Sequence, residues 1–386
     1  MNTLERAALW APTKLYELGV RLRVAAYETG YLSSRRLTAP VISVGNITVG
    51  GTGKTPLVEY VARYLKEEGY SVAILTRGYG RQSRSQRVLN PSSDGTLKRE
   101  LQTPSGTLKR ELRTDRTPRL KVPRLRPELR TEAEEFGDEP IMLARALPDI
   151  PIVINKDRFE GGRYAEQELA SQVLVLDDGY QHMQLARDLN LLVLDATDPF
   201  GSFQMAPLGR LREPLYGIRR ANAVVVTRAH RPFDQAQLLS ILSYYCGDKV
   251  PVMYVASTIP RLRLLNSEET FEASEFRGWN CFVMCGIGNP RAFSDDLLQI
   301  GMNVAGEHFF RDHHRYSQQD LDGAVREARQ AGADLIVTTD KDAVRLGGLT
   351  TGDMPLYSAQ QEIQTEDEVR LKSLILRTIT IGVDKL

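Results

Sequence analysis

The stretch "SVGNITVGGTGKTPL" (residues 43–57) has the residue types needed to hold a polyphosphate. Glycines at 50, 51 and 53 let backbone N–H groups turn inward around an anion. Lys54 can reach a β/γ-phosphate, and the Thr55 hydroxyl suits a place on Mg²⁺. The usual pattern is G-x-x-x-x-G-K-[ST], and here its opening glycine is replaced by Thr48. The expected cradle is therefore Thr48, Val49, Gly50, Gly51, Thr52, Gly53, Lys54 and Thr55, with an altered entrance. A second stretch, "VLVLDDGYQH" (173–182), ends an apolar run in Asp177 and Asp178. Carboxylates at a strand end can hold the metal of a phosphotransferase, and two adjacent ones are costly to leave without a cation. Two further clusters could handle a proton. "EFGDEP" (135–140) sets Asp138 and Glu139 just past a turn glycine, and "FFRDHHRYS" (309–317) sets His313 and His314 beside Asp312. Phosphoryl transfer to an alcohol needs a proton acceptor at the hydroxyl. A carboxylate with a histidine is a competent pair, worth about 10²–10⁴ in rate.

These residues need a scaffold, and the apolar runs supply one. "APVISVGN" (39–46) reads as a buried strand leading into the glycine loop, and "PLVEYVARYLKEEG" after it has helical spacing. "SVAILTRGYGR", "IPIVIN" (150–155), "VLVLDD" (173–178), "NLLVLDA" (190–196), "ANAVVVTRA" (221–229) and "VPVMYVAS" (250–257) are mostly continuous rather than alternating. That is the pattern of strands buried on both faces of a parallel sheet. The fold class expected is α/β: a P-loop NTPase-like, doubly wound, mostly parallel sheet with ligands at its carboxyl edge. Residues 1–256 would form this core and 257–363 a smaller α/β domain. Residues 364–386 would be a helix returning to the core. Cys281 and Cys285 fall in an apolar run of the second unit and read as core, not as metal ligands.

A net charge of +1 argues against a globally basic nucleic-acid binder, and three cysteines are too few for a disulfide framework. No run of 18 apolar residues predicts a membrane span, and charges near the N-terminus argue against a signal peptide. Residues 1–36 mix aromatic and aliphatic side chains with six basic and three acidic ones, which suits either an anionic membrane surface or a helical hairpin packed on its own domain. Residues 82–131 break the pattern. They hold 13 Lys/Arg against five Asp/Glu, and "GTLKREL" occurs at 95–101 and again at 106–112. With so little apolar content they read as a flexible basic insertion.

Taken together, "SVGNITVGGTGKTP", "LTRGYGR", "GDEP", "DDGYQH", "PLGRLREP", "FRDHHRY" and "TTDKDAV" closely resemble the tetraacyldisaccharide 4′-kinase family of Gram-negative bacteria. The resemblance implies transfer of the ATP γ-phosphate to the 4′-hydroxyl of a lipid A precursor, a tetraacylated glucosamine disaccharide 1-phosphate. It implies a peripheral enzyme on the cytoplasmic face of the inner membrane, docked through the N-terminal segment. No nucleic acid and no protein partner are expected. Lys54 and Thr55 would serve the phosphates and Mg²⁺, with Glu139, Asp177 and Asp178 as metal-side carboxylates. Asp138 and His313 would form the dyad that activates the sugar hydroxyl, the choice of His313 over His314 resting on the alignment of the motif. Arg210 and Arg212 would be charge partners for phosphate. The alternatives are a P-loop GTPase or metallochaperone, and a non-catalytic membrane scaffold. A GTPase would want N-K-x-D, and "NKDR" (155–158) misplaces its Asp by one residue.

Overall fold

A computed structural model describes residues 3–78, 87–89, 132–133, 135–267 and 269–383. Uncharged, β-branched runs form a sheet from β1 (Val41–Gly45), β2 (Val72–Thr76), β3 (Arg87–Leu89), β4 (Ile152–Ile154), β5 (Val173–Asp177), β6 (Leu189–Asp195), β7 (Ala223–Thr227) and β8 (Val252–Tyr254). Its order is β3-β4-β2-β5-β1-β6-β7-β8, parallel except where β3 runs against β4. Every residue of β1, β2, β5 and β7 is buried, which explains why these strands do not alternate. From β1 the chain crosses beyond β5 to reach β2, whereas β6, β7 and β8 build out on the other side. The order thus reverses at β1, and the crevice of such a sheet opens there.

In chain order the helices are α1 (Thr3–Glu28), α2 (Lys54–Glu67), α3 (Asp138–Ala146), α4 (Arg158–Glu168) and α5 (Gln235–Cys246). Then come α6 (Pro290–Gln299), α7 (Gln318–Gln330), α8 (Asp340–Leu346) and α9 (Glu368–Val383). Helix α2 starts at Lys54, so Pro56 sits in the first turn, where a missing N–H costs nothing. Leu57, Val58, Val61, Tyr64 and Leu65 go under it onto the sheet. The helix stops at Gly69, whose φ of +89° admits the left-handed turn, with Tyr70 N donating to Leu65 O at 3.1 Å.

A second sheet contains β9 (Ala256–Leu264), β10 (Thr270–Glu272), β11 (Asn280–Cys285), β12 (Asn303–Phe309), β13 (Leu335–Thr339) and β14 (Leu356–Gln364), in the order β10-β9-β14-β13-β11-β12. Cys281 and Cys285 are buried in β11, and burial pushes the Cys281 thiol up to about 12. The two sheets meet along several seams. Ile141 of α3 packs on Val344 of α8. Arg231 reaches from beyond β7 to Asp295 and Asp296 of α6, both at 2.7 Å. Leu371, Ile375 and Ile379 of α9 share a core with Val58 and Val61 of α2.

Residues 3–28 form one helix with Pro12 inside it, rather than a hairpin. One side of α1 is anchored: Val24 is buried, Tyr16 Oη donates to Arg212 O at 2.8 Å, and Arg23 donates to Gln181 O at 3.3 Å. Trp10, Leu15, Leu18 and Leu22 are more than half exposed. No helix among the described residues is long and apolar enough to cross a membrane. Of residues 82–131, only 87–89 are described, as edge strand β3. The two "GTLKREL" copies lie outside the described residues.

Candidate active site

The glycine loop leaves β1 at the reversal point and ends at the N-terminus of α2. Gly50 and Gly53 have φ of +110° and +74°, values that carry strain for any other residue. Thr48 is buried and pairs antiparallel with Leu211, while Val49 N donates to Arg210 O at 2.6 Å and Arg210 Nε donates back to Val49 O at 3.1 Å. The altered entrance is thus an extended stretch paired to the "PLGRLREP" segment. A two-residue pairing needs no glycine. Deeper in the loop, Asn46 Nδ2 donates to Thr52 Oγ1 at 2.9 Å and Thr227 Oγ1 donates to Thr52 O at 2.9 Å. Arg228 Nη1 donates to Gly51 O at 3.1 Å and is itself paired with Asp195. The loop is therefore held from the end of β7 and, through Asp195, from the end of β6.

Lys54 Nζ lies 3.4 Å from Asp178 Oδ1, and Arg212 Nη1 donates to both Asp178 oxygens at 2.9 and 2.7 Å. Asp178 takes up a left-handed φ of +48°, a conformation that carries strain in a non-glycine residue. Burial opposes its charge, but Lys54 and Arg212 outweigh burial and hold the carboxyl well below the usual range. Asp177 behaves oppositely. It is buried, accepts from Thr76 Oγ1 at 3.1 Å, and is raised by burial and then by the charges of Glu139 and Asp178. Arg210 stays at the loop entrance, tied to Asp198 at 3.1 Å, so the two arginines occupy separate places. Thr55 follows Lys54 in the first turn of α2. Among the described residues no three His, Cys, Asp or Glu side chains already converge as a metal cage.

A second cluster lies where α3 meets the second sheet. Asp138 begins α3, is 7% exposed, and has His313 Nδ1 3.3 Å from its Oδ2. Arg345 donates to the same oxygen from Nε at 2.8 Å and also from Nη2. Burial works against the Asp138 charge, but the His313 hydrogen bond and the Arg345 and Lys341 charges hold the acid well below the usual range. Lys341 Nζ lies 3.3 Å from His313 Nε2 and 3.5 Å from both Glu139 and Asp312. His314 is placed elsewhere. It stacks on Phe310 at 4.5 Å and its Nε2 lies 3.2 Å from Asp320, the residue that completes the capping box of α7 with Ser317. The two adjacent histidines therefore separate into one at the carboxylate and one fixing the loop.

The two clusters adjoin. Glu139 follows Asp138 and its charge reaches Asp177, while the turn after β11 covers the glycine loop. A Cβ on Gly288 would stand 2.9 Å from Gly51 N. The sequence assigns no role to Lys341 or Arg345: Lys341 lies inside "TTDKDAV", which carries the resemblance without a named site residue, and Arg345 lies just beyond it. "NKDR" is accounted for by local structure: Asp157 caps α4 through Phe159 N and Glu160 N and pairs with Arg35.

A parallel sheet whose first strand feeds a glycine loop into a Lys-Thr helix start, beside an acidic strand end, defines a P-loop phosphotransferase. The family model described as tetraacyldisaccharide-1-P 4′-kinase matches residues 5–99 and 118–380, passing over the second "GTLKREL" copy. The chain is 36% identical over 378 residues to the tetraacyldisaccharide 4′-kinase of Geobacter sulfurreducens, covering 96% of this chain and 92% of that one. It is 37% identical over 335 residues to that of Pelobacter propionicus, covering 87% and 81%. Among solved structures it resembles LpxK from Aquifex aeolicus, crystallised in complex with ATP, with a TM-score of 0.68 and 30% identity over 97% of this chain and 99% of that one. The chain belongs to the tetraacyldisaccharide 4′-kinase family, the kinases of lipid A biosynthesis.

Proposed function

We propose that this chain transfers the γ-phosphoryl group of ATP to the 4′-hydroxyl of a tetraacylated glucosamine disaccharide 1-phosphate. The observation that carries this reading is the meeting of Asp138, from the first sheet's side, with His313, from the second, at 3.3 Å beside the glycine loop. The backbone of the loop and Lys54 would cradle the phosphates, and Arg210 and Arg212 would compensate charge at the loop entrance and at Asp178. The sugar oxygen attacks the γ-phosphorus, the bond to the β–γ bridging oxygen breaks, and ADP leaves. The hydroxyl proton passes to the imidazole of His313, whose other nitrogen is oriented by Asp138.

The donor set suits Mg²⁺, because hard oxygens dominate and the charge pressure of Glu139 and Asp178 on Asp177 would be relieved by a cation. Thr55, Glu139, Asp177 and Asp178 would hold it. When bound it supplies neutralisation of charge on the β- and γ-oxygens. The exposed apolar side of α1 would rest on the cytoplasmic face of the inner membrane, where the lipid acceptor resides. In this reading the core of residues 1–256 and the unit of residues 257–363 act as the two walls of the site. The test is transfer of labelled γ-phosphate to the lipid disaccharide with the product position identified. Lys54→Ala and Asp138→Ala should each remove most turnover with folding intact; near-full activity in either would overturn the role given to that residue.

A further inference from the structure

The Asp138–His313 pair is held from one side by a continuous buried chain of polar groups, and that chain ends on Arg345. Asp342, which is fully buried, accepts from Gly286 N at 3.0 Å, Thr339 Oγ1 at 2.7 Å and Tyr316 Oη at 3.0 Å. It then fixes Arg345 Nη1 at 3.2 Å. Arg345 presents its remaining edge to Asp138, and its Nη2 also stands 3.1 Å from His313 Nδ1. The Arg345 side chain is 10% exposed, so the pairing is shielded from water and its geometry is well defined. A planar fork can grip one carboxylate through two nitrogens while a third nitrogen is anchored elsewhere; a lysine cannot. Arg345 comes from α8 of the second sheet and Asp138 from α3, 207 residues apart. The same two helices pack through Ile141 and Val344.

We infer that Arg345 is a positioning residue for phosphoryl transfer. Its guanidinium sets the orientation of the Asp138 carboxylate, and through it the ring of His313, and Asp342 acts as its anchor. The inference rests on the reading of Asp138 and His313 as the proton-accepting pair. It assigns Arg345 no contact with either substrate, which separates it from Lys54, Arg210 and Arg212.

The experiment compares Arg345→Ala, Arg345→Lys and Asp342→Asn with His313→Ala in full-length protein, measuring kcat, KM for ATP, ATP affinity and thermal unfolding. Arg345→Ala should lower kcat about 10²-fold or more, within the range of proton-transfer assistance, with KM and affinity for ATP within about twofold of the parent. Arg345→Lys keeps the charge and most of the volume but loses the fork, so it should be impaired in the same direction. Asp342→Asn should follow it. Millimolar methylguanidinium should return part of the kcat of Arg345→Ala and none of that of His313→Ala. An unchanged kcat, or a loss shared equally with ATP affinity, would overturn the inference. Should Arg345→Ala fail to fold, full activity in Arg345→Lys would overturn it as well. Full activity in His313→Ala would instead overturn the proposed function, and the two failures are therefore distinguishable.

Discussion

His182 belongs to the same "DDGYQH" stretch as the two acidic residues, but its environment is different. Among the described residues its Nε2 finds no hydrogen-bond partner. Burial, with the nearby charges of Arg158 and Arg187, pushes the ring down to about 3, Asp157 opposing only weakly. The folded protein therefore leaves His182 neutral where the unfolded chain, near 6.5, takes up a proton. The unfolded state binds more protons, so stability is present above about pH 6.5 and is lost as pH falls toward 3, by at most about 1.4 kcal/mol per pH unit. His182→Gln should flatten the fall in melting temperature between pH 6.5 and 4 relative to the parent. Identical slopes in the two proteins would show that the ring is not held neutral. Lys54, Asp177 and Asp178 were legible in the sequence because each sits in a short local motif at a strand end. Arg345 and Lys341 were not. Arg345 meets Asp138 from 207 residues away and Lys341 meets the adjoining Glu139, and nothing in "DKDAVRL" says which carboxylates of another element a helix start will face.

Elements were legible wherever burial was uniform. The continuous apolar runs became strands buried on both faces, and α2 kept its expected apolar side while beginning two residues before Pro56. The N-terminal segment was less legible: its mix of apolar and basic residues suited a hairpin as well as a surface helix, and α1 runs as one helix through Pro12. The turn after β11 could not be read as part of the site, since "GIGNP" reports flexibility and not proximity. In the structure Gly288 lies so close to the glycine loop that a Cβ would meet Gly51 N at 2.9 Å and Gly50 Cα at 3.0 Å. Both are backbone atoms and cannot rotate aside. Gly288→Ala should therefore separate the turn from the loop, at a cost of about 1–3 kcal/mol for overpacking. Steady-state kinetics should show kcat/KM for ATP reduced roughly 5- to 150-fold. Parent-like kinetics would mean that the turn lifts freely and contributes nothing to the site.

On the scale of the whole molecule, two sheets meet, and a long helix lies beside the first with Leu15, Leu18 and Leu22 turned to solvent at a spacing of three and four. If that stripe rests in a bilayer, replacing all three leucines by serine removes apolar burial worth about 1.5–3 kcal/mol each when complete. Cosedimentation with anionic vesicles should then fall at least tenfold, while phosphorylation of a detergent-dispersed acceptor changes little. Equal partitioning of both proteins would exclude the stripe as the docking surface. The pairing of Thr48 with Leu211 has a consequence of its own. The entrance of the glycine loop is sewn to a segment that also carries the Arg212 grip on Asp178 and, through the Arg212 carbonyl, the bond from Tyr16 of α1. The loop is thus no transplantable cassette. Cut out as residues 43–57 it would lose its second edge, and within the protein a tug on the surface helix is only two hydrogen-bonded links from the phosphate cradle.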